Sequence, residues 1–171
     1  GAISVIMKFL DNIPSLYYFQ GEFALCFGIL FLLIISVYKN ADIKSFYVTI
    51  LTLLLSLFLI LLINKEVQLG SFLFLGSIII DSYATFFKVI FLLSTLAIVL
   101  LTYNNKEVKK EDWSEYYCLI LITTLGMFLM ASSSNLLMIY LAIEMVSIPS
   151  YMLAGFNHND KGSNEASMKT S

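Results

Sequence analysis

The chain has 171 residues, of which 59% are hydrophobic and 13% charged, with a formal net charge of −2 and a mean hydropathy of +0.87. That balance excludes a soluble single-core domain, and the abundance of Phe, Tyr, Leu and Ile excludes a disordered one. The near-zero charge argues against a polybasic nucleic-acid binder, so no nucleic acid is expected among its partners.

All ten cationic residues are Lys and none is Arg, a bias that AT-rich coding DNA produces and that fits an organellar or AT-rich bacterial gene. Cys26 and Cys118 both fall in apolar runs, which reads as two buried free thiols rather than a disulfide.

In chain order, the first element is Ala2 to Leu10, a short interfacial helix ahead of Pro14, within an external N-terminal segment over 1–21. A bilayer core of about 30 Å needs roughly 20 apolar residues per helix. Five stretches meet or approach that length: 22–38, 45–63, 83–103, 115–131 and 135–156. The first resists reading as a signal peptide, because Asp11 and Glu22 precede it where a basic region would stand. The expected fold is an all-α polytopic transmembrane bundle.

Residues 67–80 contain Gly70 and Gly76 and would rise only about 21 Å as a helix, so a re-entrant or hairpin-like segment is expected there. Lys106 to Asp112 reads as a wet loop, followed by Trp113, Tyr116 and Tyr117 at the headgroup belt. Ala131-Ser132-Ser133-Ser134-Asn135 permits only an antiparallel helical hairpin between the last two spans. Beyond Phe156 a polar loop is expected, then from Glu165 the first turn of a sixth helix.

With five spans, Lys39, Lys44, Lys106, Lys109, Lys110 and Lys161 share one side, against Lys8 and Lys65 on the other. The positive-inside rule then puts the N-terminus outside.

No phosphate loop, zinc spacing or nucleophile elbow is present, which leaves soluble-enzyme chemistry without support. The chemically informative residue is Glu144, about 15 Å from either end of its span by helical rise. A carboxyl group at that depth costs about 2.5–3.5 kcal/mol to insert and marks an ion or proton pathway, the alternative being a neutral packing contact. Tyr140, Ser147 and Tyr151 share its face by helical spacing, and Pro149 cannot donate to the carbonyl of Met145, one turn from the carboxyl. Lys88, near the start of its span, either snorkels to the surface or pairs with a buried carboxylate. His158, the single histidine, reads as a solvated loop residue.

These residues carry a family resemblance. Glu115 to Met127, Ser134-Asn135-Leu136-Leu137 and Tyr140 to Phe156, with Glu144 and Pro149 inside it, resemble subunit 2 of respiratory complex I, the antiporter-like subunit N of bacteria. Asp81 to Lys88 resembles the start of that family's third helix, and Ser163 to Lys169 the start of its sixth.

The resemblance implies a proton-translocating subunit without a redox centre or other cofactor on this chain. Glu144, the fifth-helix glutamate, and Lys169, which opens the sixth helix, would serve the charge relay, with Lys88, Tyr140, Ser147 and Pro149 as supporting candidates. The family has about fourteen helices, and its later lysines would lie beyond residue 171. The chain is therefore expected to be a front portion, completed by another polypeptide and surrounded by membrane-arm subunits and lipid, in the mitochondrial inner membrane or a bacterial plasma membrane. The rivals are a structural subunit that only scaffolds neighbouring helices and a related cation/proton antiporter subunit, the latter disfavoured by the tail Asn164 to Lys169.

Overall fold

In a computed structural model the described residues form six helices and one small β-hairpin: α1 (Ala2–Asp11), α2 (Gln20–Ser36), α3 (Asp42–Glu66), β1 (Ser71–Leu73), β2 (Ile78–Ile80), α4 (Ser82–Tyr103), α5 (Trp113–Ser132) and α6 (Leu136–Thr170). The structure describes the backbone of all residues except 12–17, 39–41, 67–70, 74–77, 81, 105–108, 110–111 and 171. Side chains at 11, 42, 64–66, 71–73, 80 and 156–170 are likewise outside the description.

Among the described residues, four helices are long and apolar enough to cross a membrane: Ile43–Ile63 in α3, α4, α5 and Leu136–Gly155 in α6. The helix α2 is apolar and 17 residues long, which at 1.5 Å per residue is about 26 Å. The five stretches expected to span correspond to the five helices α2 to α6, with ends within three residues of those read off the sequence except at the C-terminal end of α6.

Packing turns on small residues. Lipid tails compete for apolar side chains as well as another helix does, so close backbone approach and polar contacts hold membrane helices together. At Gly28 a β-carbon would collide with the Thr52 side chain of α3, and Ser56 Oγ donates to the carbonyl of Gly21 at 3.0 Å. The buried face of α3 carries Ser45, Thr49, Thr52 and Ser56, one helical turn apart. Thr49 and Thr52 return their hydroxyl protons to carbonyls four residues back, at 2.8 Å each, so neither of these two donors is left unpaired.

The centre of the bundle is α5, which packs against α2, α3, α4 and α6 and buries Tyr117, Leu121, Thr124, Leu125 and Phe128. Thr124 meets Thr95 of α4 hydroxyl to hydroxyl at 3.0 Å. Trp113 and Tyr117, expected at the headgroup belt, are buried instead. Their rings meet edge to face at 6.0 Å, Trp113 meets Tyr103 at 5.9 Å, and Phe46 meets Tyr103 at 4.6 Å. The ring cluster closes the end of the bundle where α3 begins, α4 ends and α5 begins, because apolar area gained between three helices outweighs a wet position for the tips.

At the opposite end, β1 and β2 pair antiparallel, Ser71 with Ile80 and Leu73 with Ile78. Ile78 is buried and bridges to Ser133 at the end of α5. The segment is a hairpin seated on α4 and α5, which satisfies its own backbone groups without a helix.

Two other expectations change. The polar loop and separate sixth helix expected over 157–171 are replaced by a continuous α6 to Thr170. No proline follows Pro149, so the backbone hydrogen bonds can continue through Gly155, Gly162 and the intervening Asn and Asp residues in spite of their low helix propensity. Cys26 and Cys118 are free, as read, but Cys26 is half-buried.

Gly126 sets the distance between α5 and α6, since a β-carbon there would lie 3.0 Å from Val146 Cγ2 and 3.1 Å from the Met145 and Val146 backbone. Backbone cannot step aside as a side-chain tip can. Gly126→Ala should therefore push α6 outward and destabilise the bundle by about 1–3 kcal/mol. Phe27→Leu, at a position 69% exposed, should stay within about 0.5 kcal/mol. Thermal unfolding of the membrane complex carrying each variant checks both.

Candidate functional site

Asn135 starts α6 by accepting a hydrogen bond from the Met138 amide on its Oδ1 at 2.8 Å, and Glu144 follows ten residues into the chain from Asn135's predecessor. From the start of α6, eight helical steps put it about 12 Å into the helix. Ala142, Met145, Val146, Pro149 and Leu153 form the face of α6 turned inward. Glu144 lies about 200° around the helix from Ala142, while Tyr140 lies about 40° and Tyr151 about 20° from Glu144.

The exposures agree with that wheel: Ala142 is 1% exposed, Tyr140 60% and Tyr151 75%. The polar stripe read from the sequence is a physical face, and it points away from α5. Among the described residues Glu144 has no hydrogen-bond or ion-pair partner. Ser147 donates to the carbonyl of Ile143 at 2.8 Å and Ser150 to that of Val146 at 2.6 Å, so these hydroxyls are held by their own helix. Pro149 is buried within α6 and the helix runs on through it.

Lys88 does not snorkel. Its Nζ donates to Glu22 Oε1 at 2.5 Å, with Glu22 1% and Lys88 9% exposed, joining α4 to α2 through the core. A snorkelling side chain would have to leave a buried carboxylate unpaired, which costs far more than the hydration regained. The ammonium also lies 5.9 Å from the Phe128 ring centre on α5, within reach of a cation–π attraction. Glu22 is the functional candidate that sequence reasoning missed, having served there only as evidence against a signal peptide. Its signal was an acidic residue two positions into an apolar helix, but its partner sits 66 residues away.

Lys169 is on the same helix as Glu144, 25 residues further on by number (169 − 144), hence about 38 Å along a continuous α6. The structure does not bring the two together, and the Lys169 and His158 side chains are outside the described residues. Among the described residues no group of His, Cys, Asp and Glu is arranged to hold a metal ion. What the arrangement offers chemically is one half-buried carboxyl on the face of α6 away from α5, and one buried acid–base pair between α2 and α4.

Comparison with known proteins agrees with the geometry. Residues 133–171 match the family model described as "NADH:quinone oxidoreductase/Mrp antiporter, TM". The chain is 32% identical over 160 residues to NADH-quinone oxidoreductase subunit N of an Anaeromyxobacter species, covering 93% of this chain and 31% of the relative. It is 37% identical over 175 residues to subunit N 2 of Sorangium cellulosum, covering 94% of this chain and 33% of the relative. With subunit N 2 of Chloroherpeton thalassium the identity is 46% over 99 residues, covering 56% of this chain and 19% of the relative. The chain thus spans about a third of the length of the first two of these curated relatives. With five packed apolar helices, an intramembrane carboxyl on the fifth and relatives of this kind along nearly its whole length, the chain belongs to the antiporter-like membrane subunits that include NADH-quinone oxidoreductase subunit N.

Proposed function

We propose that the chain is part of a proton-translocating membrane subunit of NADH-quinone oxidoreductase, in which electrons pass through other subunits and Glu144 takes part in the movement of charge. The observation that carries this reading is the placement of Glu144 on the face of α6 opposite α5, without a partner among the described residues. Lipid would not tolerate an ionisable stripe there, so that face belongs against further protein or a wet cavity. The partners in this reading are other membrane-arm subunits and a polypeptide segment supplying the remaining helices, with no redox centre on this chain and no activity by this chain alone.

The mechanism follows from electrostatics. A cation arriving near Glu144 holds it ionised, and neutralising that cation or moving it away lets the carboxyl take up a proton. In a medium of low dielectric such coupling reaches across several ångströms, so each change of charge at one site reloads the next. Lys169, and with less weight Lys88, Tyr140, Ser147 and Pro149, are the residues on this chain that would shape the path.

The family description spans oxidoreductase and antiporter subunits, while the three relatives above are all named as oxidoreductase subunits. That favours the respiratory assignment over a free-standing antiporter. We place the chain in an energy-transducing membrane and prefer the mitochondrial inner membrane on its arginine-free composition; the relatives named above are bacterial, for which the plasma membrane is the counterpart.

Two outcomes test this. Glu144→Gln keeps the shape but cannot ionise, so it should leave complex assembly intact and lower proton pumping per NADH oxidised, with Glu144→Asp milder. Unchanged pumping in Glu144→Gln would favour the scaffold reading. For orientation, Lys109, which is exposed between α4 and α5, should react as Lys109→Cys with an impermeant thiol reagent only from the matrix or cytoplasmic side. Labelling only from the opposite side would invert the topology.

A further inference from the structure

The reading above gives Lys88 a minor place in the path and Glu22 none, and makes no use of the buried pair the two form. It lies near the face of the bundle where α2 and α4 begin: Glu22 is the third residue of α2 and Lys88 the seventh of α4. Beside it is a cavity of about 20 Å³ lined by Tyr18, Gly21, Glu22, Ile60, Ile63, Thr85 and Lys88. One water needs roughly 10–15 Å³ and two or more polar partners, and this cavity meets both conditions. An ionised carboxylate can accept about four hydrogen bonds and an ammonium can donate three. Here the two groups share one bond, which leaves acceptors on Glu22 and donors on Lys88 for a water in the cavity.

Stability alone gives little reason for the pair. Replacing a buried ion pair with apolar residues of similar volume is often neutral or stabilising. Burial of two opposite charges costs desolvation that only their mutual attraction and further hydrogen bonds offset. Among the described residues, the other titratable groups near the pair are Tyr18 at the cavity wall and Cys26, one turn along α2; α3 presents Ile60 and Ile63, and α5 presents Phe128.

We propose that Glu22 and Lys88, with one water between them and the membrane face where α2 begins, form a second proton-exchange site of this subunit. The inference rests on the proton-translocating reading above. The step moves one proton from Lys88 Nζ to Glu22 Oε1, directly or through the water, converting ammonium and carboxylate into amine and carboxylic acid. The reverse step restores the ion pair. No other bond changes, and exchange of the water with the aqueous phase connects the site to bulk protons.

The test uses the assembled complex in membranes. Glu22→Gln alone would bury an unpaired ammonium, so the informative variant is the neutral pair Glu22→Gln with Lys88→Met. It should assemble to wild-type levels, oxidise NADH, and pump at least twofold fewer protons per NADH. The swapped pair, Glu22→Lys with Lys88→Glu, keeps both titratable groups and should recover much of that loss. Infrared difference spectra between resting and turning-over wild-type complex should show a carboxylic-acid carbonyl band that the neutral pair lacks. Wild-type pumping in the neutral pair, or failure of both double variants to assemble, would make the pair a structural fastening and overturn the proposal. Lowered pumping in Glu144→Gln beside normal pumping in the neutral pair would overturn this site alone, whereas normal pumping in both would remove the proton-translocating reading as well.

Discussion

A charge inside hydrocarbon must be paired, neutralised or wetted, and this chain meets that constraint in two different ways. Glu22 and Lys88 meet it internally, across α2 and α4, with the Phe128 ring of α5 beside the ammonium. Glu144 does not meet it within the described residues and stands on the outer face of α6. The first arrangement is complete in this chain and the second calls for something beyond it. The division between an inner bundle and an unfinished edge follows from that difference.

The rest of the packing is subordinate to the same rule applied to weaker dipoles. Thr49, Thr52, Thr95, Thr102, Thr123 and Thr124 bond back to carbonyls of their own helices, Thr95 also meets Thr124, and Ser56 reaches across to Gly21; the buried hydroxyls of Ser132 and Tyr117 have no partner among the described residues. Glycines stand where backbones approach, at Gly28 against Thr52 and at Gly126 against Met145 and Val146. Gly126 has a second effect, because the segment of α6 it holds is the one that carries Glu144. A rigid seat for the inner face lets the opposite face present a carboxyl at a defined depth.

What the sequence made legible was local and periodic. Spans of about 20 apolar residues, the short 67–80 stretch and the stripe of Tyr140, Glu144 and Tyr151 all follow from rise and repeat along one element. What it hid was pairing between elements. No local pattern joins Glu22 to Lys88, and a lysine six residues into α4 reads equally well as a snorkelling side chain. Trp113 and Tyr117 misled for a related reason: aromatic residues at a span end suit both the headgroup layer and an interhelical core, and only the positions of Phe46 and Tyr103 decide. The continuation of α6 beyond Gly155 was hidden because polarity predicts where hydrocarbon ends, not where a helix does.

The outer face of α6 should border a charged or hydrated interior and not lipid. A cryo-electron-microscopy map of the assembled membrane complex around Glu144, at a resolution that shows waters, decides this. It should reveal a cationic side chain from another segment within about 4–6 Å of the carboxyl, or a file of ordered waters reaching it. Acyl chains or solely apolar side chains packed over Glu144, Tyr140 and Tyr151 would contradict it.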